Sequence, residues 1–138
     1  VELGIREQVR FVPTVDQRGL AQWYAAAAVV CVPSYNESFG LVALEAQACG
    51  APVVAARVGG LPTAVSDGVT GVLVDGHDPA DYASALHPLL TDPELREAMS
   101  QKAVRHAEGF GWDVTADRTL QVYDEAIDSH RTEQEAQA

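Results

Sequence analysis

Apolar residues recur along this chain with two different rhythms. Ala28 to Val32 is a short, largely β-branched run of the kind a buried parallel strand shows. Pro33 ends it, and Ser34 to Ser38 form a polar loop. Leu41, Leu44 and Ala48 then return at helical spacing until Gly50 and Pro52 stop the helix. Pro52 to Ala55 opens a second apolar strand, which completes one βαβ unit. Open α/β sheets bind ligands beyond the carboxyl ends of their strands, so the polar loop after Val32 is where chemistry is expected.

The flanking stretches extend the same pattern. Val1 to Gly4 reads as the last turn of a helix that starts upstream, with Gly4 as its cap, as in a piece of a longer protein. Val9 to Val12 reads as a short strand and Pro13-Thr14-Val15-Asp16 as a loop. Leu20, Trp23, Tyr24 and Ala27 give Gln17 to Ala27 one apolar helical face, with Trp23 either core or a stacking platform. Gly59-Gly60 is a turn, Pro62 suits the start of a short helix ending near Val65, and Val72 to Val74 forms a last strand. Asp78-Pro79 and Asp92-Pro93 each place an N-capping carboxylate before a first-turn proline, and so start two further helices. A final helix opens at Trp112-Asp113 and carries Val114, Leu120, Tyr123 and Ile127. Residues 1–127 therefore read as one domain, and the polar residues 128–138 as a tail that frays. There is no internal repeat and no low-complexity linker.

At 138 residues with 47% hydrophobic content, the chain is long enough to bury a real core. Nine basic against 20 acidic side chains leave a net charge of −11, which disfavours nucleic acid and anionic membranes as partners. No run approaches the roughly 20 apolar residues of a membrane span and no signal peptide opens the chain, so a cytoplasmic setting is expected. Cys31 in its buried strand and Cys49 at a helix end read as reduced, apolar thiols. His77, beside Asp75, has neither a nucleophile nor an orienting partner in sequence, and reads as a turn residue before an acid–base group. His87 and His106 lie in unlike segments with no ligand at metal spacing, so no metal site is expected.

The candidate chemistry lies in Glu37-x7-Glu45, two carboxylates that bracket the start of the central helix. If wholly helical, that interval would span about 12 Å, the scale of a sugar–diphosphate–ribose ligand. A carboxylate suits a vicinal diol, because its two oxygens accept from both hydroxyls. Phosphate calls instead for N–H groups, and the amides of Phe39, Gly40 and Leu41 stand where a helix start attracts anions. Gly40 would leave the backbone bare for that approach. Arg57 either faces the phosphates or merely solvates a strand end.

Glu37-x7-Glu45, followed by Gly50-Ala-Pro-Val-Val and Gly59-Gly60-Leu61-Pro62, resembles the second Rossmann domain of retaining, two-domain glycosyltransferases of the GT-B fold, family 4 type. Ser34–Cys49, Arg57–Val65 and Asp75-Gly76-His77-Asp78-Pro79 are most similar to the branch that opens mycothiol biosynthesis. That branch moves N-acetylglucosamine from UDP-GlcNAc to an inositol phosphate. Thr63 stands where many relatives carry a Glu, a departure that fits this branch. The likeness covers Val1 to about Ile127 and implies an α/β fold, a Rossmann-like parallel sheet flanked by helices, with two central strands missing.

It also implies roles. Glu37 is the catalytic-site residue that holds the donor sugar's hydroxyls without acting as nucleophile. The amides of Phe39, Gly40 and Leu41 receive the donor phosphates, Ser38 beside them belongs to the donor-binding set, and Glu45 holds the ribose. Thr14 and Val15 lie near the base, or else belong to a plain connecting loop. No tightly bound cofactor is implied; Mg2+ is compatible with such chemistry, but no residue pattern indicates a site for it. The cationic half of the site and the acceptor domain have no counterpart in this chain, which agrees with its poverty in positive charge. Strands flanking a two-strand gap would expose unpaired N–H and C=O groups, so a homo-oligomer or strand exchange between copies is expected. The alternatives are a non-catalytic nucleotide-binding or oligomerising fragment, and a transferase of the same family with another acceptor, such as a sucrose- or lipid-directed one. A dehydrogenase half is disfavoured, since no G-x-G-x-x-G turn follows a strand.

Overall fold

The computed structural model describes residues 3–136, with side chains described to residue 132. Its centre is a parallel sheet of three strands, β1 (Val30–Val32), β2 (Val53–Ala56) and β3 (Gly71–Val74), in the order β1-β2-β3. Val30, Cys31 and Val32 pair with Val53, Val54 and Ala55, and β2 pairs in turn with all four residues of β3. Six α-helices surround it: α1 (Gln17–Ala26), α2 (Leu41–Ala48), α3 (Leu61–Ala64), α4 (Pro79–Thr91), α5 (Pro93–Glu108) and α6 (Trp112–Ala136). This is the α/β architecture the βαβ pattern implies.

β2 is the only strand with a partner on both sides among the described residues, and all four of its side chains are buried. Ala43, Leu44 and Ala46 of α2, Leu61 and Ala64 of α3, Tyr82 and Leu89 of α4 and Met99 of α5 close around it. The alanines matter here: small side chains let α2 lie close to the strands and to α5, which packs along it. The capping expectations hold in detail. Asp78 accepts from Ala80 N at 2.9 Å, and Asp92 accepts from Glu94 N and Leu95 N, each at 3.0 Å. Asp16 starts α1 in the same way, accepting from Gly19 N at 2.8 Å.

Three expectations need correction. Val9–Val12 forms no strand: the segment follows a 3-10 turn at Arg6–Gln8 and leaves Val9, Phe11 and Val12 exposed. A strand needs a neighbour to take its N–H and C=O groups, and no described strand lies beside it. For the same reason β1 is an edge, and Cys31, expected inside, is exposed. The polar stretch expected to fray from Asp128 continues α6 as far as Ala136. Its residues carry no helix-breaking Gly or Pro, and an exposed helix tolerates polar side chains on every face. Lastly, the helix end expected at Val1–Gly4 lies partly outside the described residues; Gly4 itself has φ +66°.

Candidate functional site

The loop between β1 and α2 is held from three sides. Gly60 N donates to Glu37 O at 3.0 Å, which ties the loop to the turn before α3. His77 lies parallel to the Tyr35 ring, with centroids 3.9 Å apart, and its Nε2 stands 3.0 Å from Ser34 O. Phe39 meets Phe110 edge to face at 6.2 Å. His77 is thus half-buried, and nothing in its turn position announces that it reaches back to Ser34.

The glycines here serve packing. Gly40 caps α2 in the left-handed region, φ +94°, and a Cβ on it would stand 3.0 Å from Ala64 Cβ and 3.1 Å from Leu61 Cδ2. The side without a side chain therefore faces α3; it is not an open approach for an anion. Cβ atoms on Gly59 and Gly60 would collide with the backbones of Glu37 and of Ser38 and Phe39, respectively. The Gly59-Gly60 turn is thus packed against the backbone of this loop.

Of the expected phosphate-binding amides, that of Gly40 already receives a bond from within the loop: it donates to Glu37 Oε1 at 3.3 Å. The helical ladder of α2 begins at Leu44 N, donating to Gly40 O at 3.1 Å. The N–H groups of Leu41, Val42 and Ala43 precede that ladder and form the positive tip of the helix. Ser38, Phe39 and Leu41 are exposed at this tip. Glu37 is half-buried beside it, with its carboxylate folded back onto the helix start.

Glu45 lies one turn further, on the exposed side of α2. It lines a cavity of about 180 Å3 with Leu20 and Tyr24 of α1 and Cys49. It also lines a cavity of about 540 Å3, walled by Phe39, Leu41, Leu44, Phe110 and Trp112. Burial, and secondarily the Glu45 carboxylate next to its hydroxyl, hold the Tyr24 phenol above its ordinary pKa. Thr14 and Val15 line a third cavity of about 300 Å3 with Val12, Leu20 and Trp23. Leu20 walls both this cavity and the smaller one at Glu45, so the structure brings Thr14, Val15 and Glu45 to adjoining grooves. Neither cavity at Glu45 includes Glu37, whose carboxylate accepts from Gly40 N at the helix start.

Arg57 does not face this tip. Its guanidinium bonds Asp67 at 2.5 Å and Asp75 at 3.0 Å. Asp67 is correspondingly held below the usual carboxylate range, first by the Leu73 N–H it accepts and then by Arg57. Among the described residues there is no group of three or more His, Cys, Asp or Glu that could hold a metal ion. No described helix is long and apolar enough to cross a membrane.

Two residues near the site escaped the sequence reading. Gln47 is wholly buried and donates from Nε2 to Ala64 O at 2.8 Å, and His106 approaches the same oxygen at 3.2 Å. The available signal was a polar side chain on the alanine-rich face of α2, in Leu-Val-Ala-Leu-Glu-Ala-Gln-Ala.

Comparison with known proteins places these features in a family context. The family model described as glycosyl transferases group 1 matches residues 1–106. A D-inositol 3-phosphate glycosyltransferase of Kribbella flavida is 60% identical over 131 residues, which is 95% of this chain and 31% of that protein. Sucrose-phosphate synthase from Thermosynechococcus elongatus superposes with a TM-score of 0.81 at 38% identity, over 91% of this chain and 32% of that one. Anabaena HepE in complex with UDP-glucose superposes with a TM-score of 0.75 at 30% identity, over 92% of this chain and 34% of that one. The chain thus spans about a third of the length of the proteins it matches.

Proposed function

The chain belongs to the group 1 glycosyl transferases, and on that premise we propose that it is the donor-binding part of a retaining transferase that moves N-acetylglucosamine from UDP-GlcNAc to an inositol phosphate. The reaction belongs to mycothiol biosynthesis and takes place in the cytoplasm. One observation carries this reading. The Glu37 carboxylate accepts from the Gly40 amide at the start of α2, and Glu45, one turn further, lines a groove that shares Leu20 with the groove at Thr14 and Val15. That order suits sugar, diphosphate and nucleoside in turn. The resemblance to an enzyme named for D-inositol 3-phosphate supports the acceptor, and a relative solved with UDP-glucose supports the donor class.

In this reading the amides of Leu41, Val42 and Ala43 receive a phosphate at the positive end of α2, with Ser38 and Phe39 bordering it. Gly40 serves by letting α3 close under the tip. Glu37 turns from the Gly40 amide towards the sugar hydroxyls and orients the donor. Glu45 accepts from the ribose diol, and Thr14 and Val15 border the base. Configuration is retained without a covalent enzyme intermediate, and the departing diphosphate assists deprotonation of the acceptor. No tightly bound cofactor takes part. With Arg57 already paired to two carboxylates, the cations that neutralise the diphosphate come from the rest of a longer protein, as does the acceptor site. These 138 residues alone are inactive, and the open edge of β1 makes them associate or exchange strands.

The test has two parts. Calorimetry of this chain with UDP and UDP-GlcNAc measures donor binding, and light scattering measures its association. The complete transferase, given UDP-GlcNAc and inositol 3-phosphate, should yield a glycoside with the donor's anomeric configuration. Inverted product, or turnover only with another acceptor, would overturn the assignment.

A further inference from the structure

Gln47 is fully buried in α2, yet its Oε1 meets no hydrogen-bond donor. A buried acceptor left bare opposes folding, so a reason for this residue has to come from its other end. Its Nε2 donates to Ala43 O in its own helix at 3.0 Å and to Ala64 O at 2.8 Å. His106 brings Nε2 to within 3.2 Å of the same Ala64 oxygen from α5. Ala64 is the last residue of α3, a helix of four residues, whose terminal carbonyls lack donors of their own. Two side chains from two different helices therefore hold the end of a third.

The near end of α3 touches the loop that carries Glu37. Gly60 N donates to Glu37 O, and Leu61 and Ala64 press against Gly40, the cap of α2. We propose that Gln47 and His106 are positioning residues: by fixing α3 from α2 and α5, they set where the Glu37–Gly40 loop stands. The functional half of this inference rests on reading that loop as the donor site. Neither side chain needs to touch the nucleotide sugar.

Folding stability and positioning separate in one substitution. Gln47→Met keeps the length of the side chain and removes the bare oxygen. It leaves Ala43 O its own helical donor and leaves Ala64 O with His106. The unfolding midpoint should therefore hold or rise, while α3 loses one of its two ties. Exchange of the Gly60 amide should quicken roughly three- to tenfold, the worth of one hydrogen bond, with the Val54 amide in β2 unchanged. The dissociation constant for UDP-GlcNAc should rise by a similar factor. His106→Leu should act in the same direction, whereas His106→Gln, which keeps a donor, should restore both readouts. Unchanged Gly60 exchange in both Gln47→Met and His106→Leu would overturn the proposal. So would a lowered midpoint with Gly60 and Val54 quickening together, the mark of a merely structural role. If the complete transferase binds no UDP-GlcNAc, the donor reading fails, and Gly60 exchange still decides the clamp.

Discussion

Replacing Gly60 by alanine separates two physical reasons for a glycine. The backbone at Gly60 has φ −81°, which alanine adopts without strain. The cost must then come from contact, since the new Cβ would press into Phe39 Cα and Ser38 O. Both are backbone atoms, so relief requires the loop or α3 to move as a unit. Overpacking of this kind costs about 1–3 kcal/mol. Losing the Gly60 N–H bond to Glu37 O adds about 0.5–1.5 kcal/mol. Stiffening of the unfolded chain returns about 0.4–1 kcal/mol. The net loss is about 0.5–4 kcal/mol. Gly68→Ala is the internal control: φ is +71° there, and a Cβ would meet nothing within 4 Å. Its cost is the left-handed backbone alone, about 1–2 kcal/mol before the same offset. Urea unfolding should show a clear fall in midpoint for Gly60→Ala, a smaller one for Gly68→Ala, and a common slope. Gly60→Ala should also shift the amide resonances of Glu37 to Phe39, and Gly68→Ala should not. Equal costs for the two variants would refute the close approach of the α3 turn to the Glu37 loop.

Four further outcomes rest on particular contacts. Glu45→Gln in the complete transferase, assayed by calorimetry with UDP, should weaken binding by about 1–3 kcal/mol, the worth of hydrogen bonds to a charged group; equal affinity there would remove Glu45 from the ribose. In the same variant the Tyr24 phenol should titrate lower than before yet still above its ordinary value, because burial is the larger cause. Asp67, held below the unfolded carboxylate value of about 3.9, contributes stability above that pH and loses it as pH falls through its folded pKa. Asp67→Asn should therefore flatten the stability profile below about pH 4, and parallel profiles would contradict the pairing. Asp92→Ala removes a cap that accepts from two amides and should cost about 1 kcal/mol in denaturant unfolding, a prediction that fails if the midpoint is unmoved.

Local signals were legible wherever one residue sets its own surroundings. Asp78-Pro79 and Asp92-Pro93 start helices at the positions their chemistry dictates, because the cap and the fixed proline φ act within one turn. The βαβ order around Glu37 and Glu45 follows from periodicity alone, and with it the helix tip at the carboxyl end of β1. Those features depend on neighbours within a few residues, which a sequence displays directly.

Pairing and approach over distance were decided elsewhere. Val9–Val12 has the composition of a strand but no partner, and a strand is defined by what bonds it. Cys31 is exposed because β1 ended as an edge. Arg57 is consumed by Asp67 and Asp75, ten and 18 residues along the chain, which folding brings to one side of β2 and β3. Gly40, Gly59 and Gly60 look in sequence like openings for a ligand, and in the fold they are where α3 closes on the Glu37 loop. Residue types thus announced which groups can accept, donate or cap. Which of them remain available for a ligand was settled only when distant segments met, since a polar group that packing pairs within the fold is no longer free to bind one.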